Sequence, residues 1–311
     1  MIELFRTPNY NFIGRRKWAY AASIFITLVA LASLAVQGLH YDLDFTGGTL
    51  VQVRFQRPPT VAQIRAGLSR IQLGESVIQE FGDPLEYIVR MPLTASSSEA
   101  LIRQVTGALE QETSLGAFEI RRVEFVGPQV GKELQWQAIQ AVLYGLVGIL
   151  LYIGFRFDLK GGVAAVIAVF HDVLVCLGAI SITHREFSLP VLAALLTIIG
   201  FSVNDTIVAY DRLRENRNKF VPKGKTFAEQ MNDAVNQTLS RTVLTSLTVF
   251  FSAAILLLYG GKTLEDFAFV LFVGVITGTY STTYVAAALV VDWTSYVEGR
   301  LRRGKKAVAK A

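Results

Sequence analysis

Six stretches of this chain are each long and apolar enough to cross a lipid bilayer, and that leaves few folds open to it. A spanning helix takes about 20 mostly apolar residues. No water is present in the hydrocarbon to satisfy the backbone, so the segment must satisfy it internally, as a helix does. The stretches are Trp18–Gln37, Ile139–Phe155, Val163–Thr183, Leu189–Tyr210, Thr242–Tyr259 and Phe267–Val291. Composition agrees: 52% of residues are hydrophobic and 18% charged, whereas an ordinary soluble domain is about a quarter charged. The first stretch reads as a retained helix. Its apolar part is too long for a signal peptide, and Ala35–Val36–Gln37 is a poor cleavage site. The single cysteine, Cys176, excludes an internal disulfide framework and any cysteine-based zinc or iron–sulfur site.

The basic residues give the chain a direction. If six spans alternate, the N-terminus, the link after span two, the segment Asp211–Arg241 and the tail after Val291 share one side, and 19 of the 30 Lys and Arg lie there. The two short loops on the other side hold Arg185 and Lys262. Positive charge marks the cytoplasmic face, so both termini are expected inside. The net charge of +5 is then a topology signal and an affinity for anionic headgroups. Nucleic acid binding, the usual reading of a basic soluble domain, is the weaker one.

Residues 38–134 connect spans one and two and are expected outside the membrane, as a mildly acidic soluble domain. Thr49–Phe55 alternates like a strand. Val61, Ile64, Leu68 and Ile71 have helical spacing within Thr60–Ile71. Ser76–Glu80 and Glu86–Met91 read as strands split by a turn at Gly82–Asp83–Pro84. Ser98–Glu112 reads as a helix that Ser98 could cap, and Phe118–Val126 as a strand. The order βαββαβ is the ferredoxin-like pattern. The stretch contains no evident nucleophile–base pair or phosphate loop, and Gly47–Gly48 reads most simply as a turn entering a strand.

On the inner side, Pro222–Lys223–Gly224 breaks the chain, and Thr226 with Glu229 resembles a capping box. Phe227, Met231, Val235 and Leu239 then form one apolar stripe, expected on a short amphipathic helix within 211–241 that lies against the membrane or the bundle. Residues 295–311 read as a mobile basic cytoplasmic tail. Gly145, Gly148, Gly274 and Gly278 are expected where helices pack closely.

Ionisable residues inside spans are costly, about 2.5–3.5 kcal/mol each on insertion scales, and point to function. Span three holds His171–Asp172, span four Asn204–Asp205, and Arg241 opens span five. At about 1.5 Å per residue, Asp172 lies about 13 Å and Asp205 about 8–10 Å from the inner ends of their spans, so these residues can share one layer in the cytoplasmic half. Burial disfavours the charged form of a carboxyl group, and a nearby Arg favours it. Relative movement of the two would then take up or release a proton, which gains about 2.3 kcal/mol per 100 mV of membrane potential. A static clamp, with Asp205 and Arg241 neutralising each other, accounts for the same residues. His171–Asp172 as a metal pair is weaker still, since the other histidines, His40 and His184, sit at or beyond the external face.

At these residues the chain resembles the SecF family of protein-export membrane subunits. The likeness runs through Asn11–Lys17, Asp44–Thr49 (DFTGGT), Val126–Leu134 (VGPQVGKEL), Phe157–Gly162 (FDLKGG), His171–Val173, Gly200–Thr206 with Asp211–Glu215, and Arg241–Thr248 (RTVLTSLT), in this order between six spans. Phe201 and Leu213 stand where the family often has Tyr and Ile. The resemblance implies a complex of the resistance–nodulation–division type, with twelve spans shared between this chain and SecD as a separate polypeptide. It implies association with the SecYEG translocon, leaves room for YajC and YidC, and makes preproteins the cargo. It implies use of the proton-motive force, with protons as the coupling ion and no other cofactor, and places Asp205 and Arg241 in the proton-responsive network facing a carboxylate from SecD. The implied location is the cytoplasmic (inner) membrane, with the external domain in the periplasm.

Two rival readings belong to other classes. A small-molecule or ion transporter of the same superfamily normally carries twelve spans and two large external domains in one chain. A passive scaffold would hold its partners without moving protons. An enzyme fits least, because no nucleophile, cofactor or metal constellation is evident in the sequence.

Overall fold

The computed structural model describes residues 8–92, 98–112, 114–219 and 224–308. After a 3-10 turn at Ile13–Arg15, α1 (Arg16–Val36) is the first apolar span. A short strand β1 (His40–Tyr41) and one helical turn, α2 (Leu43–Thr46), lead into an α/β domain. Its elements are β2 (Gly48–Phe55), α3 (Val61–Ser69), β3 (Val77–Phe81), β4 (Asp83–Met91), α4 (Ser98–Glu110) and β5 (Phe118–Val126). The strands form one antiparallel sheet in the order β3-β4-β2-β5. Thr60 caps α3 with Gln63 in a reciprocal box, which satisfies two otherwise orphaned amides. One face of the sheet packs on α3 and α4 around Val51, Val53, Phe55, Ile64, Leu68, Val89 and Leu109. Gly47 and Gly48 take φ of 70° and 141°, and a Cβ on Gly48 would stand 2.5 Å from the Met91 carbonyl oxygen. The paired glycines therefore turn the chain into β2 at a spot no side chain fits.

The remaining spans are α5 (Pro128–Arg156), α6 (Leu159–Ile182), α7 (Leu189–Lys219), α8 (Phe227–Tyr259) and a last helix. That helix runs as α9 (Lys262–Ser281), a π-helical stretch (Thr282–Ala286) and α10 (Ala287–Val308) without a break. Among the described residues, six helices are thus long and apolar enough to cross a membrane. Between α6 and α7, strand β6 (Glu186–Phe187) pairs in parallel with β1. Helices α6, α7 and α9–α10 form the buried centre; α1, α5 and α8 surround them and keep much apolar surface exposed.

Three expectations change. The amphipathic segment is not a separate short helix: from Phe227 it runs straight into span five as one 33-residue helix. No Gly or Pro interrupts Phe227–Tyr259, so nothing ends the helix. Its stripe residues Met231 and Val235 are buried against Ile13, Tyr210, Leu213 and Val291, on the bundle rather than on lipid. Residues 211–219 likewise extend α7. The basic segment from Arg300 continues α10 to Val308 as helix. Helix α5 begins at Pro128, inside the stretch first assigned to the external domain, because Pro suits a first helical turn. Residues Pro222 and Lys223 of the chain break, and the side chain of Ser98, lie outside the described residues. Gly274 and Gly278 do face α7, at Ile198 and Ser202, whereas a Cβ on Gly145 or Gly148 would meet nothing within 4 Å.

Candidate functional site: a polar layer among three central helices

The centre of the bundle is built from small and hydroxyl-bearing residues, which lets α6, α7 and the last helix approach closely. Asp172 on α6 is 1% exposed. Its Oδ2 accepts hydrogen bonds from Ser202 Oγ of α7 at 2.7 Å and from Ser281 Oγ at the end of α9 at 2.6 Å. His171 Nδ1 lies 3.1 Å from Asp172 Oδ1, while His171 Nε2 is buried without a partner. A hydrogen bond of this kind contributes about 0.5–1.5 kcal/mol net, so one carboxyl group holds three helices together.

One turn further along α7, Thr206 Oγ1 lies 3.3 Å from Thr282 Oγ1, and both hydroxyls reach the Ser202 carbonyl oxygen. Another turn on, Tyr210 OH donates to the Ala286 carbonyl at 3.3 Å. Ser202, Thr206 and Tyr210 recur every four residues, so one stripe of α7 faces the π-helical stretch. Such stretches mark functional sites in many helices.

Asp205 is 3% exposed, and its Oδ2 has no hydrogen-bond partner. Asn204, about 100° around the helix, is turned out of the bundle and exposed. Arg241 also lies on an exposed face, on α8, and no ion pair within 4.0 Å joins it to Asp205. The structure therefore brings His171 and Asp172 together with Ser202 and Ser281, and leaves Asp205, Asn204 and Arg241 without a direct bond to that cluster. Among the described residues, no group of three or more His, Cys, Asp or Glu side chains converges as a metal site would require. Sequence reasoning passed over Ser202, Ser281, Thr206 and Thr282. Their signal was a four-residue spacing of Ser202 and Thr206 in span four and adjacent hydroxyls at Ser281 and Thr282 in the last span, which also suits plain close packing.

Chemically, the layer holds two buried carboxyl groups in different settings. Asp172 is surrounded by donors and suits a fixed tie between helices or a hinge. Asp205 keeps an oxygen free for a proton or for a group from outside the chain.

Comparison with known proteins supplies a context. Residues 105–296 match the family model described as protein export membrane protein SecD/SecF, C-terminal, and residues 32–59 match the SecD/SecF GG motif. The protein translocase subunit SecF of Desulfurispirillum indicum is 44% identical over 300 residues, covering 94% of each chain. That of Magnetococcus marinus is 45% identical over 92% of each chain. The crystal structure of SecDF, a translocon-associated membrane protein from Thermus thermophilus, superposes with a TM-score of 0.80 at 41% identity over 93% of this chain. A SecDF structure in a super-membrane-facing form gives 0.71 at 39% identity over the whole chain. This chain spans about two-fifths of those solved chains, 39% and 41%.

Proposed function

Because the chain belongs to the family of SecD/SecF protein-export membrane proteins, we propose that it serves Sec protein translocation as a SecF-type subunit and that protons moving through its central polar layer drive that service. Its part is that of a transport accessory rather than of a classical enzyme. It works with a SecD partner, and the exposed face carrying Asn204 and Arg241 is the surface that partner covers. The wider assembly is the SecYEG translocon, with room for YajC and YidC, in the cytoplasmic membrane. Both termini lie on the cytoplasmic side, and the sheet with α3 and α4 forms a ferredoxin-like periplasmic domain.

The observation that carries proton coupling is the buried Asp205 oxygen without a partner. A buried polar atom left unpaired costs about 1–3 kcal/mol, more when charged, so such a group persists where something binds it during the working cycle. Arg241 joins it from α8 or is drawn off, changing the carboxyl's hold on a proton. The fully bonded Asp172 favours a second, passive reading, in which the layer merely pins three helices. Asp205→Asn separates the two. The proposal expects export stimulation to fall at least tenfold while the variant accumulates and binds SecD normally. Undiminished export at normal abundance supports the pin.

A further inference from the structure

The three helices that build the polar layer are also tied together at their far ends, and the same tie holds the α/β domain. Arg90, on β4, pairs with Glu186 of the α6–α7 connection and lies 3.7 Å from Asp42 just after β1. One residue earlier, Arg185 pairs with Asp266 at 2.5 Å and Glu265 at 3.0 Å, both on α9, and its guanidinium covers the Phe269 ring at 4.4 Å. Two neighbouring residues of one short connection thus grip in opposite directions, Glu186 to the domain and Arg185 to the last helix. Strand pairing of His40–Tyr41 with Glu186–Phe187 completes the tie, and Asp42 N donates to the Phe187 carbonyl at 3.0 Å. Nearby, the Leu189 amide at the start of α7 donates to Asp44 at 3.4 Å, and Gln135 of α5 donates to the Phe45 carbonyl at 2.7 Å.

These bonds form a clasp. Helices α6 and α7 leave it in opposite chain directions toward Asp172 and Ser202, and α9 runs from Asp266 toward Ser281. Rearrangement of the layer must move the inner parts of these helices relative to one another, and helices are stiff over such lengths. The clasp is where that motion meets the domain. Arg90 is 19% exposed at its side chain, and removing one partner of such a sheltered pair leaves the other uncompensated.

We propose that Arg90 and Glu186 are positioning residues of a mechanical linkage that passes movement of the Asp172 layer to the α/β domain. The inference rests on the proton-coupled reading of the layer, and its test separates the two. Cysteines at Val77→Cys on β3 and Tyr259→Cys at the end of α8 take spin labels, since both native side chains are exposed, and the native Cys176 is buried. Distances are measured in the full chain assembled with SecD in lipid, with and without Asp205→Asn, and each again with Arg90→Gln or Glu186→Ala. The linkage expects a narrow distribution in the parent that shifts on Asp205→Asn. It expects either clasp variant to broaden the distribution and abolish that shift, and Arg90→Lys to retain most of both. An unbroadened distribution in Arg90→Gln and Glu186→Ala overturns the proposal. So does a shift on Asp205→Asn that survives in the clasp variants, or one absent from the parent. Failure of the proton reading shows elsewhere, as undiminished export in Asp205→Asn.

Discussion

Ser281 Oγ donates a 2.6 Å hydrogen bond to Asp172 Oδ2 from the last α-helical residue before the final span turns π-helical. The bond ties the change of helical pitch to a buried carboxyl group. A π-helical stretch spreads its carbonyls from the usual ladder, and here Tyr210 meets the Ala286 carbonyl that the altered pitch presents. The pitch change and the Asp172 carboxyl therefore depend on the same few hydroxyls.

Removing those hydroxyls is expected to act on the Asp172 carboxyl more than on packing. Ser281→Ala and Ser202→Ala each delete one donor to Asp172 and little volume. Each is expected to cost about 1–3 kcal/mol, because a buried acceptor loses a partner, read as a lower unfolding midpoint of the purified complex. Because both donors serve one oxygen, the double variant should depart from additivity by more than about 0.5 kcal/mol. In the Asp172→Asn background the two changes should cost less, since an amide accepts at one oxygen only. Equal costs in both backgrounds would assign the serines to packing alone.

Small residues give a second, opposite pair of expectations. A Cβ on Gly178 would stand 2.3 Å from Ala30 Cβ and 2.6 Å from its Cα, so α1 must move for Gly178→Ala to fit. Ala30 offers no flexible side chain to yield, and overpacking of this kind costs about 1–3 kcal/mol. Gly148→Ala meets nothing within 4 Å in the chain and should be neutral or gain up to about 1 kcal/mol in helix propensity. Unfolding midpoints in detergent measure the stability cost. A loss on Gly148→Ala seen only in the complex with SecD would mark that glycine as a partner contact.

The sequence made some of this legible and hid the rest for physical reasons. Phe118–Val126 reads as a strand, and the observed strand has the same bounds, although the alternation breaks at Arg121–Arg122, where the register against β2 shifts. Thr60 and Gln63, or Thr226 and Glu229, announce helix starts through chemistry that is local. The pairing of β1 with β6 left no trace, because two residues show no period and the partner strand lies about 145 residues away. Arg90 and Glu186 stand 96 residues apart, so nothing local links them. Asp172 and Asp205 stood out by their cost in a membrane. The serines that hold Asp172 did not, because a serine in a span costs little and is a common packing residue. The amphipathic stripe before span five was visible, but not that it continues the span's own helix, since a change in hydrophobicity breaks no helix.

The N-terminal segment is strapped to α8 by two asparagines one turn apart. Asn236 accepts from the Tyr10 amide at 2.8 Å and donates to its carbonyl at 2.8 Å, while Asn232 donates to the same carbonyl at 3.0 Å and accepts from the Ile13 amide at 3.2 Å. Asn236 is 5% exposed, so Asn236→Ala leaves the Tyr10 amide without its acceptor, while Asn232 still holds the carbonyl, and should cost about 1–3 kcal/mol. The expected sign is release of the segment, measured as faster tryptic cleavage at Arg15 in the detergent-purified protein. Asn236→Asp keeps the acceptor for the amide and should cleave at an intermediate rate. Unchanged cleavage in Asn236→Ala would mean the Ile13 core contacts alone hold the segment.

The clasp also sets a pH dependence whose sign runs against the usual one for an ion pair. Burial, joined by Asp42 and Asp266, pushes the Glu186 carboxyl above the ordinary carboxylate range against the pull of Arg90. Burial likewise raises Asp44, against the Leu189 amide and Arg90 and with help from Asp42. In the docked state both groups therefore hold a proton more readily than when solvated. Between the ordinary carboxylate value and the raised one, the docked state binds more protons, so its stability falls as pH rises and grows on acidification. The contribution is complete below the ordinary value and lost above the raised one. Amide-exchange protection of residues 42–47, corrected for the intrinsic pH dependence of exchange, should accordingly increase as pH falls through that window. Glu186→Gln, uncharged throughout, should flatten the slope and leave only the part due to Asp44. Protection that declines on acidification would mean that the Arg90 charge outweighs burial at Glu186, and the clasp would then open toward the acidic side rather than close.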